Sequence, residues 1–257
     1  MNQFKFHLPA LIILSFALII LSATQTKTIY INDNSNSDSE GFAVLELFTS
    51  QGCSSCPPAD KLLGKYAALN NDHIIPLAFH VDYWNRLGWT DSFSSAKYSR
   101  RQRDYAMIIA NSSVYTPQLI INGEKEFVGS DDDKISASVN NVVKTKAAVI
   151  ISIERTDIKG KAVTVHYKLD KLQKNASINA ALVQKQVFTN ILNGENKGLK
   201  LINYNVVRDF NSDHINSQES GIVLNLPAGY DAKDFKIVFF VQDDASGKIT
   251  GALQKQL

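Results

Sequence analysis

Cysteine is scarce in this sequence: its 257 residues contain only two, Cys53 and Cys56. With no further cysteine, the chain cannot build the disulfide framework that holds small secreted scaffolds together. An excess of one charge is also missing, because 27 basic residues stand against 25 acidic ones, spread along the chain. The sequence therefore lacks the basic surface that nucleic acids require, and we expect no nucleic-acid partner.

Two kinds of catalytic motif are missing as well. There is no glycine-rich loop of the type that cradles phosphates, and no serine stands in a nucleophile-elbow setting. Both nucleotide-dependent and hydrolase functions are therefore disfavoured, and no cofactor is expected. The composition, 44% hydrophobic and 20% charged, is that of an ordinary globular chain that folds around a core.

The N-terminus has the pattern of a secretory signal. Lys5 and His7 precede an apolar run from Leu8 to Leu21, roughly 14 residues long, which is shorter than the ~20 that span a bilayer. We predict a signal peptide over residues 1–24 and a polar tether over 25–40, with a short edge strand at 28–32. The protein is then exported, periplasmic or secreted. An uncleaved membrane anchor is the alternative, and the membrane is contacted only through this segment.

The remaining residues divide by pattern into two halves. Residues 41–146 alternate buried strands with helices in the order strand, helix, strand, helix, strand, strand, helix, with a hairpin at Asn122 and Gly123. Residues 147–257 contain seven short alternating segments separated by polar turns, which predicts an antiparallel β-sandwich. We therefore predict an α/β domain over 41–146 and a β-sandwich subdomain over 147–257.

The C-x-x-C motif is the strongest chemical signal. It stands between a predicted strand and a predicted helix, where the helix N-terminus favours a thiolate. Cys53 would attack a disulfide and Cys56 would resolve the mixed disulfide. A purely structural bridge is the alternative, but a four-residue loop gains only about 2 kcal/mol, against nearly 5 kcal/mol for a 100-residue loop. The motif therefore favours redox chemistry.

Several stretches together resemble a bacterial secreted thioredoxin-like family known only as a domain of unknown function. They are VLELFTSQGCSSCPPAD, AFHVDYWNRLGW, RQRDYA, SVYTPQLIING and NVVR, and the resemblance covers most of residues 42–257. It implies a thioredoxin-like domain followed by a β-sandwich subdomain. It also implies that Pro117 lies beside the cysteines after a cis Thr116–Pro117 bond, with the Thr116 backbone free to pair with a substrate.

The sequence departs from thioredoxins at the residues around the cysteines. Gly52 replaces the usual aromatic residue before the first cysteine, and two serines replace Gly-Pro between the pair. Thioredoxins bury an aspartate six residues before the first cysteine, where this chain has Leu47, so the nearest acid is Glu46. We expect Glu46 to be either the proton acceptor for Cys56 or an ordinary strand residue that is exposed or paired with a lysine.

Three neighbouring groups leave alternatives open. His80, with Asp82 near it, ends a strand beside the cysteines, so Cys53, Cys56 and His80 are an alternative copper or zinc site. The aromatic loop with Tyr83, Trp84 and Trp89 either grips a partner polypeptide or packs over the core or against the sandwich domain. Arg208 is either a domain-interface residue or a ligand contact.

The sequence therefore predicts an exported thiol–disulfide oxidoreductase. Its expected partners are protein or small-molecule thiols and disulfides, or an upstream redox protein. A metal-binding or metallochaperone module and a non-catalytic binding protein are the alternatives.

Overall fold

The computed structural model describes residue 1, the backbone of residues 27–29, and residues 41–110 and 112–257 in full. The signal peptide predicted for residues 1–24, its cleavage site and most of the tether predicted for 25–40 lie outside the described residues. The backbone of β1, Lys27–Ile29, forms an edge strand that overlaps the one predicted for 28–32. No helix among the described residues is both long and apolar enough to cross a membrane.

Residues 41–146 contain the predicted alternation of strands and helices. A short 3-10 helix, Asn85–Leu87, interrupts the loop after the second of these strands. The elements are, in chain order, β2 Ala43–Thr49, α1 Pro57–Ala68, β3 Ile74–His80, α2 Ala96–Ile108, β4 Gln118–Ile121, β5 Lys125–Val128 and α3 Asp132–Val142.

Local sequence explains where these elements begin and turn. Pro57 is the first residue of α1, where a missing amide donor costs little. Ser95 and Asp131 cap α2 and α3, since each side chain accepts a hydrogen bond from a backbone amide of the first helical turn. The β4–β5 hairpin is confirmed, and its turn uses positive φ angles of 49° at Asn122 and 71° at Gly123.

All seven strands predicted beyond residue 147 are present. They pair mainly in antiparallel ladders, and a second 3-10 helix, Ala232–Asp234, precedes the sixth of them. The strands are β6 Ile151–Lys159, β7 Ala162–Leu169, β8 Ala176–Asn190, β9 Lys200–His214, β10 Glu219–Asn225, β11 Phe235–Asp243 and β12 Ile249–Gln256.

One large mixed sheet runs through both halves of the chain, so the fold class is mixed α/β. Its eight strands have the order β12-β11-β8-β9-β3-β2-β4-β5, and the remaining four form a second sheet, β1-β6-β7-β10. The two halves join where β3 pairs in parallel with β9 through Ala78 and Val206. The division predicted between residues 146 and 147 stays a prediction, because the large sheet continues across it.

Three apolar layers hold the sheets and helices together. α1 and α3 pack on one face of β2, β3 and β4, through residues such as Leu63 and Ile135. α2 packs on the opposite face and reaches the strands of the second half, where Phe210 lies edge-on to Phe79 at 5.4 Å between ring centroids. The smaller sheet packs against β8 and β11. The chain segment after β2, which carries both cysteines, hydrogen-bonds to residues of both halves.

Candidate active site around Cys53 and Cys56

The two cysteines lie in the segment that connects β2 to α1. Cys56 immediately precedes the first residue of α1 and is fully buried, and only 1% of Cys53 is exposed. Both are free thiols. Ser54 and Ser55, which separate them, are exposed. The segment thus presents its serines to solvent and keeps both sulfur atoms beneath them.

The surroundings separate the acidities of the two thiols. The pKa of Cys53 is lowered chiefly by a hydrogen bond from Cys56. Burial raises this pKa, whereas hydrogen bonds from the Thr116 hydroxyl and from backbone amides at the start of α1 lower it further. The pKa of Cys53 falls from 9.0 to about 7. Burial, followed by the hydrogen bond to Cys53 and the charge of Asp60, raises the pKa of Cys56. Near neutral pH, Cys53 is therefore the more nucleophilic of the two.

Thr116 lies directly beside Cys53, and Pro117 follows it in the chain. The Thr116 hydroxyl donates a hydrogen bond to Cys53 Sγ at 3.3 Å, and the same sulfur lies 3.9 Å from the Thr116 carbonyl oxygen. The Thr116–Pro117 peptide bond is cis, as expected. A backbone segment 63 residues away in the sequence is therefore part of the surroundings of the nucleophilic sulfur.

The aromatic loop packs onto the core around the site. Trp84 and Tyr83 are half-buried against the apolar layer beneath α2. Trp84 Nε1 donates to Thr116 Oγ1 at 2.8 Å, and the Tyr83 hydroxyl donates to Gln102 while lying close to Thr116. Of the two predicted roles, packing is the one that these contacts show. Trp84 orients the threonine that contacts Cys53.

Glu46 does not lie where a proton acceptor for Cys56 is needed. Its side chain shares a face of β2 with Phe48, in the layer under α2, whereas Leu47 points to the opposite layer under α1. Glu46 is fully buried and accepts two hydrogen bonds from Arg101 at 2.5 and 2.8 Å, so it is paired with an arginine rather than a lysine. The proton-acceptor role proposed for Glu46 from the sequence is therefore corrected.

Asp60 occupies the place that was predicted for Glu46. It lies on α1 one turn after Cys56, is only 4% exposed, and accepts a hydrogen bond from Thr49 Oγ1 at 3.0 Å. Burial raises its pKa from 3.8 to about 7, although the charge of His80 and the Thr49 hydrogen bond oppose the rise. The sequence held one signal for this residue: an aspartate four positions after Cys56, which a helix brings to the same face.

His80 forms a buried ion pair with Asp91, a residue that the sequence analysis missed. Their side chains are fully buried, and His80 Nδ1 lies 2.7 Å from Asp91 Oδ2. The same oxygen accepts a hydrogen bond from the backbone amide of Gln51 at 2.9 Å. The second ring nitrogen, His80 Nε2, is buried and has no hydrogen-bond partner within the described part of the chain.

The alternative metal site is not assembled. Across the described residues there is no group of three or more His, Cys, Asp or Glu side chains that could hold a metal ion. His80 directs Nδ1 to Asp91, and Asp82 accepts a hydrogen bond from the Ser99 hydroxyl at 2.5 Å. These side chains therefore do not join Cys53 and Cys56 in a ligand set.

A loop from the second half covers residues 50–56, which form the candidate active-site segment. Asn196, in the connection between β8 and β9, donates from Nδ2 to the carbonyl oxygens of Gln51 and Cys53, both at 2.9 Å. Its neighbour Glu195 accepts a hydrogen bond from the amide of Ser54 at 3.1 Å. No motif in the sequence indicated these contacts, because they join residues more than 140 positions apart.

Arg208 lies where the two halves meet. Its guanidinium stacks on Phe93 of the first half at 4.9 Å and on Tyr230 of the second at 5.4 Å, and it donates a hydrogen bond to Gln184. These contacts are those of an interface residue, which was one of its two predicted roles.

Comparisons with known proteins place the chain in a family. No curated protein matches it. Among solved structures, it is similar to protein AGR_C_4864 from Agrobacterium tumefaciens, with 29% identity, a TM-score of 0.63, and coverage of 84% of this chain and 94% of that one. HBP35 of Porphyromonas gingivalis has a similar fold at 15% identity, with a TM-score of 0.57 and coverage of 85% and 76%. A family model matches residues 44–242, so the chain belongs to the family described as "Protein of unknown function (DUF1223)".

Proposed function

We propose that this protein is a thiol–disulfide oxidoreductase in which Cys53 is the nucleophile and Cys56 the resolving thiol. The observation that carries the proposal is the placement of two free thiols at the start of α1, where the Thr116 hydroxyl donates a hydrogen bond to Cys53 Sγ at 3.3 Å. The hydrogen bond from Cys56 lowers the pKa of Cys53, and burial raises the pKa of Cys56. A dithiol needs this division of roles, because only a thiolate attacks a disulfide and the resolving thiol must stay protonated until the mixed disulfide has formed.

We also propose that residues 41–146 form a thioredoxin-like domain and residues 147–257 a β-sandwich subdomain. The strand order β3-β2-β4-β5, with β4 antiparallel to β2, supports the first part. The placement of α1 and α3 on one face and α2 on the other supports it too. The packing of β6, β7 and β10 against β8 and β11 supports the second part.

The proposed exchange conserves atoms and electrons. The Cys53 thiolate attacks one sulfur of a substrate disulfide, forming a mixed disulfide and releasing one substrate thiolate. Cys56 then transfers its proton to Asp60 and attacks Cys53 Sγ, which releases the second substrate thiolate and leaves a Cys53–Cys56 disulfide. The substrate gains two electrons that the pair loses. An external dithiol restores the pair, and the reverse sequence oxidises a dithiol substrate.

Thr116 positions the substrate in this scheme. Its hydroxyl and carbonyl lie 3.3 and 3.9 Å from Cys53 Sγ, so a substrate bonded to that sulfur passes along the Thr116 backbone. Trp84 orients the Thr116 side chain through the hydrogen bond from Nε1 to Oγ1. The substrate class is a protein or small-molecule disulfide or dithiol. We place the reaction in an exported compartment, as the predicted signal peptide implies.

Two variants and one control test the proposal. Cys53→Ser should abolish disulfide exchange and remove a thiolate absorbance that titrates near the Cys53 pKa of about 7. Cys56→Ser should still form a mixed disulfide but fail to resolve it. Ser54→Ala, an exposed change between the cysteines, should retain activity. If both cysteine variants exchange thiols as fast as the unmodified protein, the proposal is wrong.

A further inference from the structure

Three polar side chains meet beneath the start of α1. Thr49 and His80 are directly paired in the parallel ladder of β2 and β3, so their side chains leave the same face of the sheet. That face lies under α1, where the Thr49 hydroxyl bonds to Asp60 at 3.0 Å. The imidazole of His80 therefore lies beside the Asp60 carboxyl group, and the charges of the two groups interact.

Burial makes this arrangement unusual. The exposed fractions are 0% for His80, 2% for Asp91 and 4% for Asp60. A charge in such an interior is costly unless an opposite charge or hydrogen bonds compensate it. Asp91 has that compensation from His80 and from the backbone amides of Gln51 and Phe93. Within the described residues, the Thr49 hydroxyl is the one side-chain group that hydrogen-bonds to the Asp60 carboxyl, so the charge of Asp60 depends on the nearby imidazole.

We propose that His80, held by Asp91, is a positioning residue that keeps Asp60 ionisable near neutral pH, so that Asp60 can take the proton from Cys56. This inference rests on the proposed thiol–disulfide exchange and adds residues outside the C-x-x-C segment to it. In the resolving step, the S–H bond of Cys56 breaks and an O–H bond forms on Asp60. His80 donates no proton in this step; its positive charge stabilises the Asp60 carboxylate beforehand.

The charges around the pair support a cationic imidazole. Burial alone lowers the pKa of His80, and Arg208 lowers it further, but the charge and hydrogen bond of Asp91 and the charge of Asp60 raise it above the ordinary value. The charge of His80 lowers the pKa of Asp60, whereas the charges of Asp91 and Cys53 raise it. His80 is thus the group in this cluster whose charge favours an ionised Asp60.

Asp91 links this cluster to the active-site segment. Its Oδ2 atom accepts from both His80 and the amide of Gln51, two residues before Cys53. The anchor that orients the imidazole therefore also holds the backbone leading to the nucleophile. This link gives one physical reason for burying a histidine–aspartate pair that does not itself contact a substrate.

A two-phase reaction separates the steps. Reduced protein is mixed with an aromatic disulfide whose thiol is coloured: attack by Cys53 releases the first equivalent, and resolution by Cys56 releases the second. In the unmodified protein the second phase should accelerate with pH around the Asp60 pKa of about 7. In His80→Asn the midpoint of the second phase should rise by about one pH unit, so that this phase slows about fivefold at pH ~7 while the first phase is unchanged.

His214→Asn is the matched control, because that histidine is 79% exposed and distant in sequence from the site; it should leave both phases unchanged. An unshifted second-phase midpoint in His80→Asn, or equal slowing of both phases at every pH, overturns the inference. If the unmodified protein releases only one equivalent, or Cys56→Ser releases two, the proposed exchange itself fails and the inference fails with it.

A second measurement does not depend on how well a histidine variant folds. The imidazole resonances of His80, followed by nuclear magnetic resonance, should shift with the ionisation of Asp60 in the unmodified protein, because the two titrations are coupled. That step should vanish in Asp60→Asn. Identical His80 titration curves in the two proteins would show that the groups are uncoupled and would overturn the inference.

Discussion

Replacing Asp60 by asparagine should stabilise the reduced protein, and by more at higher pH. The native structure raises the pKa of Asp60 from 3.8 to about 7, chiefly by burial, so the folded protein holds this proton more tightly than the unfolded chain. Stability therefore falls as pH rises from the unfolded pKa to the folded one and levels off above it. Asparagine has no such titration and can still accept the Thr49 hydrogen bond through its amide oxygen.

The size of the effect follows from the difference between the two pKa values. The folded and unfolded pKa values of Asp60 differ by roughly three units, and each unit corresponds to about 1.4 kcal/mol. Above the folded pKa, ionised Asp60 therefore lowers the free energy of unfolding by roughly 4 kcal/mol. Part of this loss of stability is already present at mildly acidic pH, because Asp60 ionises at a lower pH in the unfolded chain than in the folded protein. Between about pH 5 and about pH 8, the advantage of the asparagine variant should therefore grow by roughly 3 kcal/mol.

Urea denaturation under reducing conditions measures this quantity. Unfolding free energies of the unmodified protein and of Asp60→Asn are compared across the pH range, and the thiol titrations common to both largely cancel in the difference. Repeating the comparison in a background without cysteines removes the remaining thiol contribution. A difference that stays constant from mildly acidic to mildly basic pH would refute the reasoning that Asp60 carries a raised pKa.

Three further substitutions test other contacts. Arg101→Met leaves a buried carboxylate on β2 unpaired and should lower the unfolding free energy by roughly 3 to 5 kcal/mol in denaturant titrations. Asn196→Ala removes two hydrogen bonds, each of about 1 kcal/mol, that hold the candidate active-site segment, and should speed alkylation of Cys53 on the order of tenfold. Gly64→Ala places a Cβ 2.5 Å from the Tyr204 ring and should destabilise by roughly 1 to 3 kcal/mol in thermal unfolding, although alanine is the better helix former.

Exposed neighbours provide the controls. Arg100→Met changes the same helix without touching the buried carboxylate and should alter stability little. Lys197→Ala lies beside Asn196 and should leave the alkylation rate unchanged. If the Asn196 variant is alkylated at the unmodified rate, its hydrogen bonds do not shield Cys53. If the Arg101 variant loses no stability, the buried ion pair with Glu46 does not stabilise the fold. If Gly64→Ala stabilises the protein, the close contact with Tyr204 is not restrictive.

Local patterns were sufficient to predict most of the secondary structure. The seven strands after residue 147 follow from alternation, and the β4–β5 turn follows from Asn122 and Gly123, which adopt the positive φ angles this dipeptide tolerates. Strand order was not predictable in the same way. The parallel pairing of Ala78 with Val206 joins strands 128 residues apart, and nothing in either strand specifies the other as its neighbour.

The proposed proton acceptor, Asp60, illustrates what could not be predicted from the sequence. Alternation along β2 places Glu46 and Leu47 on opposite faces, but it does not say which face α1 will cover. The structure places α1 over Leu47, so Glu46 points toward α2 and pairs with Arg101. Asp60 was overlooked because an aspartate in the first turn of a helix is usually an ordinary surface residue that interacts with the helix dipole.

Three side chains from outside the candidate active-site segment bind its backbone, in addition to hydrogen bonds within the segment such as that from the Cys53 amide to the Ser50 carbonyl oxygen. Asp91 binds the Gln51 amide, Asn196 binds the carbonyl oxygens of Gln51 and Cys53, and Glu195 binds the amide of Ser54. The second half of the chain supplies two of these three side chains and also the strand that pairs with β3. The geometry that sets the reactivity of Cys53 therefore depends on both halves, and the chemistry proposed for the C-x-x-C motif belongs to the whole chain rather than to residues 41–146 alone.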